Sequence, residues 1–401
     1  MIPEYSDNLR KIPPYPFVRI EQLARERRSK GLKVMSFSIG DPDLPTAPFI
    51  IDAMSSAARD SAYSGYSSSD GEPWFKEAVA SWYRNRFGVE VDPSSEVCAL
   101  IGSKEGLANI SRAFLNTGDS VLCPDPAYPV YSNGGAILLG GMPKSLVLSE
   151  DNNFKPVLTP EQLKGTKIVF LNYPNNPTGA AITSKELSDL ADMVTASGAV
   201  MCYDNAYSEI SFGDYIAPSV LQSRSDHEGL IEFHSCSKTF SMTGFRIGFA
   251  VGDKKVIEGL KRVKSQIDSG PPKFIQHAAR VALESYTNSS RPPVVKSYVD
   301  VYYKRLKRLV EGLTELGFAA APPTATFYLW QKIGKSSAKF AETLASVGVL
   351  VTPGTAFGQG GEGYIRWSVT QPIEAIDEAL ELMGSKLQLL RLSLPENSPA
   401  N

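Results

Sequence analysis

Apolar and polar positions follow two rhythms along this chain. Short apolar runs at 97–101, 120–123, 167–172, 199–203, 231–234 and 247–251 predict strands. Longer stretches with helical spacing, such as 105–115 and 184–197, lie between them. Strand, helix, strand at this spacing predicts an α/β fold: a mostly parallel central sheet with helices on both faces. Several runs end directly in polar residues, at Gly102-Ser103-Lys104, Asp204-Asn205 and Ser235-Cys236-Ser237-Lys238. In open α/β sheets the ligand crevice lies beyond the carboxyl ends of the strands. The residues with the most chemistry therefore fall where a site is expected.

The rhythm changes after about residue 283. A long charged helix is predicted over 295–316, with Tyr302, Tyr303, Leu306 and Leu309 at helical spacing. Strand-like runs follow at 326–331, 349–352 and 363–369, with helices at 337–347 and from 373 to about 390. This pattern predicts a smaller α+β domain. The expected division is an N-terminal segment at 1–46 packing with the small domain, a large domain at 47–285, the small domain at 286–390 and a tail at 391–401. The N-terminal segment holds Pro13-Pro14 and Pro16, and one short helix near 20–30.

Composition narrows the partners more than the fold. A formal net charge of -2, with no basic cluster among aromatics, gives no reason to expect a nucleic-acid or membrane partner. His227, His234 and His277 lack metal-site spacing, so no metal is expected. Cys98, Cys123, Cys202 and Cys236 form no CxxC pair, and the first three sit in or beside apolar runs. They read as small buried residues in a reducing compartment. Glu4, Asp7, Arg10, Lys11 and Arg19 leave no room for a signal-peptide apolar core, and no apolar run is long enough to span a membrane. A soluble cytoplasmic protein is expected.

The candidate chemistry centres on Lys238. A lysine just past a strand end, among small hydroxyl residues, can form an imine with an aldehyde once burial depresses its pKa. Arg246, eight residues on, can lay its planar fork on a phosphate. Lys238 alone reads more readily as a surface lysine in a polar loop, and Arg246 at this offset turns the reading toward a site. Gly102-Ser103-Lys104 opens a helix and can bind phosphate with backbone N–H groups, or it is an ordinary cap by Ser103. Asp204 can cap the next helix, or can hold a pyridine nitrogen protonated. Tyr207 and Asn176 can reach a phenolic oxygen; the Asn175-Asn176-Pro177-Thr178-Gly179 run also serves as a turn. Arg366 stands inside an apolar strand, which is costly unless it meets an anion. A structural ion pair and a substrate carboxylate both answer that need.

In order and together, these residues resemble the class I/II aminotransferases of fold type I, which use pyridoxal 5'-phosphate (PLP). The resemblance runs from about Pro13 to Leu390. It implies that Lys238 holds the cofactor as a Schiff base and carries the substrate's α-proton. It implies that Asp204 pairs with the ring nitrogen, that Asn176 and Tyr207 bind the phenolic oxygen, and that Tyr128 stacks on the ring. Ser103, Lys104, Ser235, Ser237 and Arg246 match the phosphate cup. Tyr66, in Gly65-Tyr66-Ser67, matches a tyrosine that reaches the phosphate from a second subunit, which implies a homodimer with shared sites. Arg366 and Gly40 match contacts to the substrate α-carboxylate.

Within that superfamily the chain resembles the LL-diaminopimelate aminotransferases. The carrying runs are Ile12-Pro13-Pro14-Tyr15-Pro16-Phe17, Gly40-Asp41-Pro42-Asp43-Leu44-Pro45-Thr46, Leu100-Ile101-Gly102-Ser103-Lys104-Glu105-Gly106 and Ile231-Glu232-Phe233-His234-Ser235. Tyr15 is then a substrate-side residue. One branch of that family carries Asn-Gly where this chain has Ser269-Gly270, so the chain looks like the shorter bacterial and archaeal branch. The resemblance implies ping-pong transamination, with LL-diaminopimelate as donor and 2-oxoglutarate as acceptor, in lysine biosynthesis. Another amino-acid substrate (aspartate, alanine or an aromatic one), a PLP lyase and a non-catalytic regulator are the alternatives. A dinucleotide-binding dehydrogenase would need a GxGxxG that Gly102-Ser103-Lys104-Glu105-Gly106 does not supply.

Overall fold

The computed structural model describes residues 2–13, 17–334, 336–386 and 390. Tyr15 and the tail at 391–401 lie outside the described residues. The strands in chain order are β1 (Met35–Ser36), β2 (Val97–Leu100), β3 (Ser120–Asp125), β4 (Met142–Val147), β5 (Thr166–Asn172), β6 (Val200–Asp204), β7 (Leu230–Ser235), β8 (Gly248–Gly252), β9 (Tyr328–Lys332), β10 (Val349–Leu350), β11 (Thr352–Pro353) and β12 (Tyr364–Ser368). Seven of them form one sheet in the order β2-β8-β7-β6-β5-β3-β4. Only β8 runs against its neighbours, antiparallel to both β2 and β7.

Both faces of this sheet are buried, and strand periodicity explains how. Val97 and Ala99 enter one apolar cluster, while Cys98 and Leu100 enter the other. Leu107 and Ile110 of helix Ser103–Phe114, with Val256, Ile257 and Leu260 of helix Lys254–Lys264, cover the second face. Helices Pro73–Phe87, Ser184–Ala196 and Lys273–Glu284 send Phe75, Val79, Leu187, Leu190, Ile275 and Ala278 into the first cluster. Cys98, Cys123, Cys202 and Cys236 are all free and buried. Burial pushes the Cys98 and Cys236 thiols up to about 12, so they are inert near neutrality.

The C-terminal part carries a second sheet in the order β11-β12-β9, antiparallel throughout. The run expected as one strand at 349–352 is two: β10 pairs in parallel with β1, and β11 joins the small sheet, with Val351 between them. The long helix Pro293–Glu315 and the last helix Ile373–Ser385 pack here. Strand β4 was not legible, because it is an edge strand whose side chains are exposed except at Leu146. Among the described residues, no helix is long and apolar enough to cross a membrane.

Candidate active site

The reversal of β8 builds one wall of the site. Asn172 and Asp204 are paired partners at the carboxyl ends of β5 and β6. Ser235 ends β7 and pairs with Gly248, the first residue of β8. Leu100, the last residue of β2, pairs with the same Gly248. An antiparallel strand begins where its neighbours end, so Arg246 enters β8 beside Gly102-Ser103 and Ser235. Its backbone is left-handed, with φ 54°, an uncommon conformation for a residue with a side chain. Gly102, with φ 86°, supplies the room: a Cβ there would strike the Arg246 guanidinium. Arg246 donates to the Thr243 carbonyl at 2.9 Å and to the Ile101 carbonyl at 3.3 Å.

Helix Ser103–Phe114 starts at this wall. Its N-cap is Gly102, and no side chain caps it. The cap by Ser103 that the sequence left open is therefore not what forms. Ser103 is the first helical residue, and both it and Lys104 line the cavity. Ser235 and Ser237 line it too, with the Ser237 N–H donating to the Ser235 Oγ at 3.2 Å. Backbone N–H groups, hydroxyls and two cations converge here, a donor set suited to a phosphate dianion.

Lys238 follows in the short helix Cys236–Thr239 and points into the same cavity of about 410 Å³. Its Nζ donates to the Gly40 carbonyl at 2.7 Å. Burial pushes the amine down to about 8, with Arg366 and Arg246 adding to the effect and Asp41 opposing it. A substantial neutral fraction near neutral pH makes this amine a usable nucleophile.

Asp204 lies across the cavity, 5% exposed. Tyr131 donates its hydroxyl to Oδ2 at 2.7 Å, and the Ala206 N–H reaches Oδ1 at 3.3 Å. Burial still pushes the carboxyl up to about 6, against the lowering effect of Tyr131, Ala206 and His234. A carboxylate held this way gains from a cation beside it. Asn172 holds the local backbone, donating Nδ2 to the Asp204 carbonyl at 2.7 Å and accepting the Asn176 N–H at 2.8 Å.

Arg366 arrives from β12 of the small sheet and is 2% exposed. It donates Nη1 to Asn176 Oδ1 and Nη2 to the Ser38 carbonyl, each at 2.7 Å. Both of these acceptors are neutral oxygens. The bond also commits the Asn176 amide oxygen, which leaves its NH2 as the group with donors to give. The guanidinium stacks 4.1 Å from the Tyr328 ring centroid and 4.7 Å from that of Phe357. Tyr207 completes the cluster, its hydroxyl 2.9 Å from that of Tyr328. Lys104 lies 5.7 Å from the ring centroid of Tyr128 at the cavity wall.

The cavity thus gathers Gly40, Ser103, Lys104, Tyr128, Asn176, Asp204, Tyr207, Ser235, Ser237, Lys238, Arg246 and Arg366. Tyr66 is not among its lining residues; it is 89% exposed on a loop of this chain. Tyr131, Tyr328 and Asn172 line the cavity and were not singled out in the sequence. Tyr131 carried one signal, its position three residues after Tyr128. Tyr328 looked like any aromatic of a buried strand.

The residues fit PLP: a phosphate-binding wall, an amine of depressed pKa, and a buried carboxylate that a pyridinium would stabilise. Comparisons with known proteins agree. Residues 33–382 match the family described as aminotransferase class I and II. The chain is 44% identical over 382 residues to the LL-diaminopimelate aminotransferase of Desulforudis audaxviator, covering 94% of this chain and 96% of that one. It is 44% identical over 384 residues to the enzyme of the same name from Aquifex aeolicus, with 94% and 98% covered. A structure of Thermus thermophilus aspartate aminotransferase, a single mutant, superposes with a TM-score of 0.86 at 29% identity, covering 96% and 100%. The chain belongs to the class I and II aminotransferases, PLP-dependent enzymes of fold type I.

Proposed function

We propose that this aminotransferase moves an amino group from LL-diaminopimelate to 2-oxoglutarate. The observation that carries the reading is one cavity holding Lys238, Asp204 and the buried Arg366 together. The name shared by relatives at 44% identity supports the substrate.

PLP, when bound, supplies an aldehyde carbon for the amino group and an electron-withdrawing ring. Lys238 holds that carbon, yields to the incoming amine, and then takes the proton from the substrate's Cα. An amine that titrates at about 8 suits this exchange. Asp204 pairs with the ring nitrogen, and Tyr207 with the Asn176 amide holds the phenolic oxygen. Ser103, Lys104, Ser235, Ser237 and Arg246 hold the phosphate, and Tyr128 stacks on the ring. Arg366 clamps the α-carboxylate that donor and acceptor share, with Gly40 beside it. The likeness to the LL-diaminopimelate aminotransferases assigns Tyr15 a substrate-side role.

The exposed Tyr66 supports a homodimer in which each subunit completes its partner's phosphate site. The four free cysteines support a reducing, cytoplasmic setting. The division at 1–46, 47–285, 286–390 and 391–401 belongs to the same proposal.

The test is to add LL-diaminopimelate to the PLP-loaded enzyme, follow the cofactor spectrum, and then add 2-oxoglutarate. Conversion to the pyridoxamine form, reversed by the oxo acid, is the expected result. Conversion by aspartate, alanine or an aromatic amino acid instead would remove the diaminopimelate assignment. Release of ammonia with no acceptor present would make the enzyme a lyase.

A further inference from the structure

We propose that Tyr328 is a positioning residue for both halves of the reaction site: its hydroxyl orients Tyr207 toward the cofactor, and its ring seats Arg366. The proposal rests on the placement of PLP against Tyr207 in the proposed function.

Three contacts meet on this one side chain, which is 2% exposed at the start of β9. The first is the 2.9 Å bond between the Tyr328 and Tyr207 hydroxyls. A phenol has one proton to donate and lone pairs to accept with. If Tyr328 gives its proton to the Tyr207 oxygen, the Tyr207 proton must point elsewhere, into the cavity. Donation to the Tyr207 oxygen also strengthens the bond that Tyr207 gives onward, by about 10–30% in hydrogen-bonded chains. Tyr207 is buried, and burial with the neighbouring Tyr328 holds its hydroxyl well above the usual phenol range. It stays a donor at all working pH values.

The second contact is the Tyr328 ring, whose centroid is 4.1 Å from the Arg366 guanidinium. Phe357 offers a further face at 4.7 Å. Arg366 is thereby fixed in plane by rings and in direction by its bonds to Asn176 and Ser38. The third contact is with Gly40, where a Cβ would collide with the Tyr328 hydroxyl. Only a glycine lets the loop that accepts from Lys238 pass this close. Tyr328 thus ties the group facing the phenolic oxygen to the carboxylate clamp.

Two variants separate the two roles. Tyr328→Phe keeps the ring and removes the hydroxyl; Tyr328→Leu removes both. The readout for the hydroxyl is the pH at which the visible band of the bound cofactor titrates, measured without substrate. A weaker bond from Tyr207 stabilises the deprotonated phenolic oxygen less, so this pH rises in both variants, by roughly 0.3–0.5 unit. The readout for the ring is KM for the amino donor. It rises about tenfold in Tyr328→Leu and stays within about twofold in Tyr328→Phe, as loss of a desolvated cation–π contact requires. An unchanged or lower titration pH in Tyr328→Phe overturns the hydroxyl's role, and equal KM in the two variants overturns the ring's. Because the titration uses no substrate, it stands apart from which amino acid the enzyme takes.

Discussion

The two sheets contribute opposite kinds of chemistry to one cavity. The edge of the large sheet supplies groups whose charge can change. Asp204 is pushed up to about 6 and Lys238 down to about 8, each toward its neutral form by burial. The small sheet supplies Arg366, whose charge does not change at any pH the protein survives. Its guanidinium is held in place by stacked rings and by bonds to the Asn176 and Ser38 oxygens. Groups whose protonation state matters to the chemistry are built where burial tunes them. The group that only holds a carboxylate is built where nothing need be tuned.

The largest test of this contrast is Lys238→Ala. The visible Schiff-base band should vanish, and kcat should fall by at least about 10³-fold, since nucleophile and proton carrier go together. A variant that keeps both band and turnover would break the contrast at its centre. Next comes Arg366→Lys, which keeps the charge and loses the planar fork. KM for donor and acceptor should both rise roughly 10–100-fold, with the band in place. A loss of the band without a KM change would mean that Arg366 serves the cofactor instead.

Asp204→Asn sharpens the comparison through stability. The folded-state pKa of Asp204 lies above its ordinary value of 3.8, at about 6. The folded state therefore binds this proton more tightly than the unfolded chain does. Its stabilising effect is complete below about pH 4 and is lost as pH rises through about 6. At pH 7 the cofactor-free protein carries a buried carboxylate at a cost of up to about 3 kcal/mol. Asparagine can still accept from Tyr131, so the cofactor-free variant should melt higher than wild type at pH 7 and no higher at pH 4, while activity collapses. Thermal melts at the two pH values check this. Equal melting at pH 7 would mean that Asp204 already has its counter-charge.

Much of the large-sheet half was legible, because its residues stand at the ends of apolar runs. Lys238, Asp204 and Ser235 follow runs that form β7 and β6, and strand ends in such sheets face the crevice. Arg366 was legible for the opposite reason, as a charge inside an apolar strand. Tyr131 and Tyr328 were not, because a buried tyrosine in apolar surroundings reads as core until its hydroxyl partner is known. Both partners lie far along the chain: Asp204 for Tyr131 and Tyr207 for Tyr328. The β4 edge was hidden because exposed side chains leave no apolar rhythm. The split between β10 and β11 was hidden because a run of apolar residues does not say which sheet each one joins.

The turned strand β8 also bears on how the site comes together in time. Ser235 and Gly248 meet after about thirteen residues of chain, whereas Lys238 and Arg366 are separated by about 128. Closing the longer loop costs about 2 kcal/mol more chain entropy than closing the shorter one. The Ser235–Arg246 side of the phosphate wall is thus a nearly local assembly, able to form as a hairpin-like unit, whereas Ser103 and Lys104 join it from about 143 residues away. Contacts close in sequence form fast and distant ones slowly. One side of the phosphate grip is within easy reach of the chain, and the other side, like the carboxylate clamp, waits on long-range contacts.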